Sequence, residues 1–209
     1  MIHILDDFFK DPYDIRSIAL KQRYQSPLET QYPGYRTDNY VTGYGSEVVK
    51  DITIKQVLPR IQHLTKNSNL IIDSSAFQYI TADYGEGSFH IDAALYTGII
   101  FLSPNPPDYS GTEVCDKHPD PKYGYLSQKY WDDMVVSKRS FYNDTSNLLN
   151  RYRYNRLNKK FMKKNKPIVK VPNKFNRMLL FDSPLFHRAQ KFFGTSIGNS
   201  RLTLVVFFK

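Results

Sequence analysis

The chain has 209 residues, 41% hydrophobic and 23% charged, which suffices for a globular core without disulfides or a partner and excludes wholesale disorder. At ~100–200 residues per domain, this length fits one domain with insertions. The net charge is +9, yet the run Arg151–Lys166 alone holds eight basic residues and no acidic one, so the remainder is close to neutral.

The N-terminal stretch places Asp6, Asp7 and Asp11 where a signal peptide would need a basic region and an apolar core, so none is read there. Residues 2–9 read as a short strand. Asp11 and Pro12 then have the character of N-cap and first-turn residues for a helix over 13–22. Residues 23–46, rich in Tyr, Gly, Pro and Thr, show no sustained period and read as an extended loop over the domain. Apolar residues from Val48 to Leu64 follow a mainly helical period that Pro59 is expected to kink or break.

From residue 76 the pattern changes to short β-branched and aromatic runs. Strands are expected at 77–82, 88–93, 96–103 and 112–115, and again at 168–171, 177–181 and 201–208. Between the two groups, residues 116–166 read as an insertion of loop followed by helix-capable stretches at 127–135 and 144–164. The longest apolar runs fall far short of the ~18 residues of a membrane span, and the lone Cys115 asks for no oxidising compartment, so a soluble, cytoplasmic protein is expected. Many short strands favour a sandwich or barrel.

The sharpest local feature is Ser88-Phe89-His90-Ile91-Asp92-Ala93. Residues two apart on a strand share a face, so His90 and Asp92 point together while Phe89 and Ile91 face packing. Alone, His-x-Asp is also the pattern of a structural hydrogen-bonded pair. Combined with His187, which follows a strand and the turn Asp182-Ser183-Pro184, it gives two imidazoles and one carboxylate, the facial donor set of non-haem Fe(II) oxygenases. Arg201 and Thr203 share a face of the last strand and can clasp a carboxylate, with pairing to a structural acid as the alternative for Arg201.

These residues resemble the 2-oxoglutarate- and Fe(II)-dependent oxygenases, in particular the prolyl-hydroxylase-like branch and a bacterial and viral group related to it. The likeness spans roughly residues 76–115 and 167–209. It consists of Tyr84-Gly85, His90-x-Asp92, Tyr96-x-Gly98, Ser110-Gly111-Thr112-Glu113, Phe175-Asn176-Arg177, Phe186-His187, Phe193-Gly194 and Arg201-Leu202-Thr203. The resemblance implies a mainly β fold with flanking helices, a double-stranded β-helix or cupin-like jelly roll. Residues 1–209 would form one oxygenase domain, with supporting strand and helices in 1–75 and a basic helical and loop insertion at 116–166.

By the same resemblance His90, Asp92 and His187 hold iron, Arg201 binds the distal carboxylate of 2-oxoglutarate, and Thr203 and Tyr79 assist. O2 is the oxidant and ascorbate a reductant such enzymes use. Retention of Asp92, where related halogenases carry a small residue, favours hydroxylation of a protein, peptide or amino-acid substrate with release of succinate and CO2. Two other readings stay open: an oxidative nucleic-acid demethylase, motivated by Arg151–Lys166 but not favoured, and a non-catalytic cupin-like module that binds a metal or small acid. Arg188 is expected to contact substrate or a sheet-edge carboxylate. The Cys115-x-x-His118 half-site lacks a second ligand pair for zinc.

Overall fold

The computed structural model describes residues 1–26, 33–38, 47–115, 128–164 and 167–209, without the side chains of 128–132, 134–135 and 161–164. His118 and the rest of the loop that opens the insertion lie outside the described residues, as does most of the 23–46 segment.

Two antiparallel sheets form the body. The larger has six strands in the order β1 (Ile2–Leu5), β7 (Met178–Asp182), β4 (Tyr96–Phe101), β9 (Arg201–Phe208), β3 (Ile72–Ile80), β2 (Tyr35–Arg36). The smaller has β6 (Val169–Val171), β5 (Thr112–Val114) and β8 (His187–Ala189). β9 shows how residue alternation positions the site. Leu202, Leu204, Val206 and Phe208 enter one core, while Arg201, Val205 and Phe207 border a cavity between the sheets.

The first core packs the outer face of the large sheet against α1 (Pro12–Leu20) and the helical stretch of 47–65. α1 begins at Pro12 as its sequence indicates, although the Asp11 side chain makes no capping hydrogen bond. Pro59 does not end the second helix. α2 (Glu47–Ile52) passes through a π-helical turn (Thr53–Val57) into α3 (Leu58–Thr65). A proline lacks its amide and collides with the carbonyl four residues back, and the wider turn just before it accommodates both defects. Asn176 ties the entry segment to β7: its side chain accepts from the Phe9 amide and donates to the Phe9 carbonyl, each at 2.8 Å.

The insertion forms two helices, α4 (Gln128–Asn143) and α5 (Leu148–Lys164). Phe141, Tyr142 and Tyr154 bury themselves with Phe89, Phe186 and Phe192 in a second core. A third joins Ile99, Phe101, Leu179 and Phe181 of the large sheet to Val171 of the small one. Within the small sheet the backbones of β5 and β6 approach closely at Gly111, where any Cβ would collide with the Val171 carbonyl oxygen. No helix among the described residues is long and apolar enough to cross a membrane.

Candidate active site

The two histidines meet through one antiparallel bridge, in which the amides of His90 and His187 each donate to the other's carbonyl at 3.0 Å. The strand expected over 88–93 is reduced to this bridge. The Asp92 amide then donates to the Ser183 carbonyl, turning the chain toward the end of β7. Ile91 is accordingly 41% exposed rather than packed, whereas Phe89 is buried and stacks on Phe186 at 5.6 Å.

Asp92 stands between the imidazoles. Its Oδ2 is 3.2 Å from His187 Nε2 and its Oδ1 is 3.7 Å from His90 Nε2. One ligand atom from each of the three residues lies within 4.8 Å of the others. The Nδ1 atoms of His90 and His187 sit 2.9 Å from the carbonyl oxygens of Ser88 and Leu185. A carbonyl only accepts, so each Nδ1 carries the proton and donates, and in a neutral ring Nε2 is left as a lone pair. With both rings neutral, two lone pairs and a carboxylate face one another, a donor set suited to a cation at their centre.

Burial chiefly, aided by His187 and by Lys138 and opposed by Asp92, lowers the His90 pKa to about 3, so this imidazole is neutral at physiological pH. Burial favours the protonated acid at Asp92, but His187, His90 and the Thr97 hydroxyl together hold its carboxyl well below the usual carboxylate range. Thr97 Oγ1 donates to Asp92 Oδ2 at 2.8 Å and is linked to Ser183 Oγ at 2.7 Å. Phe181 places its ring 4.5 Å from that of His187. Oriented imidazoles, an anchored carboxylate and open remaining positions fit a divalent metal of the Fe(II) type.

These three residues share a cavity of about 380 Å³ with Arg201. The Arg201 guanidinium is 3% exposed, donates to the Ser110 carbonyl at 3.3 Å and to Thr112 Oγ1 at 3.2 Å, and lies 5.3 Å over the Phe101 ring. Among the described residues no carboxylate pairs with it, and burial lowers its pKa to about 10. An incoming carboxylate would supply the missing counter-charge.

Thr203 lies on the same face of β9, but its hydroxyl is engaged by the Gln78 carbonyl at 3.4 Å and does not border the cavity. Tyr79 does not face the cavity, against the role the resemblance implies for it. It stacks on Tyr35 at 4.7 Å and meets Tyr24 edge-on at 5.0 Å on the helix side of the sheet. The strand's alternation gives the cavity its neighbours Gln78 and Ile80 instead. Arg188 bonds Glu113 at 2.7 Å and Glu86 at 3.0 Å, so it serves the second of its two expected roles, pairing with carboxylates at the small sheet.

The sequence reading missed Thr97, Arg36 and Lys138, all of which border the cavity. Thr97 was discoverable, because it is the middle residue of Tyr96-x-Gly98 beside the ligand strand. Lys138 arrives from the inserted α4, and nothing local in the sequence distinguishes it from other surface lysines.

No family model and no curated protein matches the sequence. Solved structures do resemble the fold. HygX from Streptomyces hygroscopicus, crystallised with nickel, 2-oxoglutarate and hygromycin B, superposes with a TM-score of 0.61 at 13% identity, covering 99% of this chain and 82% of HygX. A 2OG-Fe(II) oxygenase family oxidoreductase from Burkholderia pseudomallei gives 0.60 at 10% identity, covering 100% and 84%. SnoN, a non-haem α-ketoglutarate-dependent epimerase of nogalamycin biosynthesis, gives 0.61 at 12% identity, covering 99% and 77%. At these identities the likeness shows the fold, the jelly roll with flanking helices.

Proposed function

We propose that this protein is an Fe(II)- and 2-oxoglutarate-dependent oxygenase that hydroxylates a C–H bond with release of succinate and CO2. The observation that carries the reading is the convergence of His90, Asp92 and His187 on a point suited to a cation, in one cavity with a buried Arg201 that has no carboxylate partner among the described residues. His90, Asp92 and His187 would hold the metal and Arg201 the distal carboxylate of the cosubstrate. When bound, iron with 2-oxoglutarate and O2 supplies the oxidising power for attack on an unactivated C–H bond.

The chain's own residues orient and shield. Protons fixed on the two Nδ1 atoms keep both Nε2 lone pairs directed inward, and Thr97 and Ser183 hold the carboxylate in place. Ile99, Val205 and Phe207 provide a dry wall that limits water beside the reacting centre. Relatives in fold include an epimerase, so the fold alone does not select hydroxylation. Retention of a carboxylate ligand at residue 92 favours oxygen transfer over halogenation. The basic α5 borders a separate groove that shares no residue with the cavity, which favours this reading over nucleic-acid demethylation.

Anaerobic addition of Fe(II) and then 2-oxoglutarate should give a visible charge-transfer band, and admission of O2 should yield succinate and CO2 in equal amounts. Metal-loaded protein that neither develops the band nor consumes 2-oxoglutarate would refute the proposal.

A further inference from the structure

We propose that the outer face of α5 is a docking surface for a single strand of nucleic acid, gripped through its phosphates and stacked at a base. The inference is drawn from this helix and stands apart from the oxygenase reading. α5 has two sides of opposite character. Tyr154 and Asn158 are fully buried and Leu157 packs against the second core, so that side is committed to the body of the protein. The other side borders an open groove of about 590 Å³, lined by Arg151, Tyr152, Asn155, Arg156, Lys159 and Lys160. Positions recurring at intervals of three and four form one continuous helix face. The groove begins at Leu148. From there to Lys160 the helix rises ~18 Å at 1.5 Å per residue, the reach of about five stacked nucleotides. The groove shares no residue with the metal cavity, so the strand docks outside the reaction.

Charge on this face is unbalanced. No carboxylate among the described residues lines the groove. Arg153, Arg156 and Lys159 enter none of the ion pairs formed among the described residues. Arg151 is held by a neutral group, its Nη2 donating to the Thr145 carbonyl at 2.8 Å, and its guanidinium lies 5.9 Å over the Phe141 ring, so it is positioned without losing its charge. The helix that presents these cations is rigid at its start as well as along its buried side. Asn147 Oδ1 accepts from the Leu149 and Asn150 amides at 3.1 Å each, capping the first turn.

The remaining residues decide which polyanion fits. A helix that lies on an anionic bilayer turns an apolar face to the lipid. On α5 the strongly exposed apolar residues, Leu148 at 76% and Leu149 at 56%, are confined to the first turn, and the apolar side chains farther along face the core. Tyr152, 61% exposed, stands on the groove face between Arg151 and Arg156, with the Asn155 amide able to donate and accept beside it. An acidic protein surface has no use for a bare ring among the cations. A nucleic-acid strand does, because cations take its phosphates while a ring stacks on a base. A duplex keeps its base faces stacked on one another, so the ring selects unpaired bases.

The test follows the fluorescence anisotropy of a labelled twenty-nucleotide oligothymidylate titrated with the full-length protein. Four phosphate contacts give a log–log salt slope of about −3 for a single strand, so affinity should fall about 25-fold when salt is raised threefold. Arg156→Glu with Lys159→Glu should weaken binding at least tenfold. Lys10→Glu with Lys21→Glu makes the same change in net charge at exposed positions away from α5 and should leave affinity within about twofold. Tyr152→Ala should weaken binding about five- to a hundredfold without changing the salt slope, and Tyr152→Phe should restore it. All the substituted side chains except Arg151, which is left in place, are exposed, so unchanged urea midpoints should accompany each variant. No binding by the wild type at low salt, binding that survives the charge reversal on α5, or equal binding of a duplex with Tyr152→Ala without effect would overturn the proposal. Displacement of the strand by polyglutamate of equal charge, or tighter binding to phosphatidylserine vesicles, would overturn it in favour of an acidic protein or a membrane surface.

Discussion

Replacing Arg201 by methionine should make the ligand-free protein more stable while removing its response to 2-oxoglutarate. Arg201 is 3% exposed, and among the described residues its hydrogen-bond partners are neutral, the Ser110 carbonyl and the Thr112 hydroxyl. Its pKa falls from an ordinary 12.5 to about 10, which at 1.36 kcal/mol per tenfold corresponds to a desolvation penalty of about 3 kcal/mol. Methionine relieves that penalty and forfeits two hydrogen bonds at ~0.5–1.5 kcal/mol each, leaving a net stabilisation of about 1 kcal/mol. The wild type with 2-oxoglutarate at a hundred times its Kd should in turn gain ~2.7 kcal/mol, and the variant almost nothing, because truncating one side of a buried charge pair costs ~2–5 kcal/mol of binding. Urea unfolding of metal-loaded protein with and without 2-oxoglutarate should therefore show the two proteins exchanging rank. A variant less stable in both conditions would make Arg201 a structural residue, and an undiminished ligand response would place the cosubstrate elsewhere.

Arg188→Met should lower stability in urea by ~3–5 kcal/mol, because it strands Glu113, 4% exposed, as a buried charge whose remaining partners among the described residues are the exposed Lys170 ammonium and the Gln190 amide; a loss below about 1 kcal/mol would mean that water reaches the pair. Burial alone would raise the Glu113 pKa, but Arg188, Gln190 and Lys170 hold it below its ordinary value, so the pair's contribution is complete above about pH 4.3 and fades as pH falls through the lowered pKa. Glu113→Gln should flatten this acid limb of the stability profile. Tyr79→Phe should leave 2-oxoglutarate affinity unchanged, since the ring stacks on Tyr35 away from the cavity, and a tenfold loss measured by calorimetry would show that the phenol reaches the cosubstrate.

What was legible in the sequence was whatever alternation alone dictates. The run Arg201–Phe208 divides into a core face and a cavity face, and the structure keeps that division for every residue but Thr203, which lies on the cavity face of the strand without bordering the cavity. The opening of β3 was not readable, because Asp73, Ser74 and Ser75 break the apolar pattern and a register shift between Ile72 and Ser74 reverses its phase. β2 and β8 have two and three residues, too few for any period to declare itself. The spacing of His90 and Asp92 signalled convergence, but through a bridge and a turn rather than a regular strand. Tyr79 was misplaced by one residue of phase, which on a strand means the opposite side of the sheet.

The insertion was the least readable element, and physically the most informative. Its charge suggests a solvated helix, and Arg153, Arg156 and Lys159 are indeed exposed. Yet Tyr154 and Asn158, one turn apart on α5, point inward: Tyr154 is fully buried, stacks on Phe141 at 5.0 Å and donates to the Glu86 carbonyl at 2.9 Å, and Asn158 donates to the Gly87 carbonyl at 3.4 Å. Glu86 and Gly87 lead directly into the His90 segment, and the Glu86 carboxylate also holds Arg188, the neighbour of His187. The two histidine-bearing segments meet at two bridges, His90 with His187 and Glu86 with Lys191, and between them the Gly87 amide donates to the Ala189 carbonyl at 3.1 Å. That pairing is reinforced from outside, by a helix packed on one segment and an ion pair reaching to the other. A basic surface can thus conceal the brace of a metal centre, because charge patterning reports the face turned to water and says nothing of the face turned in.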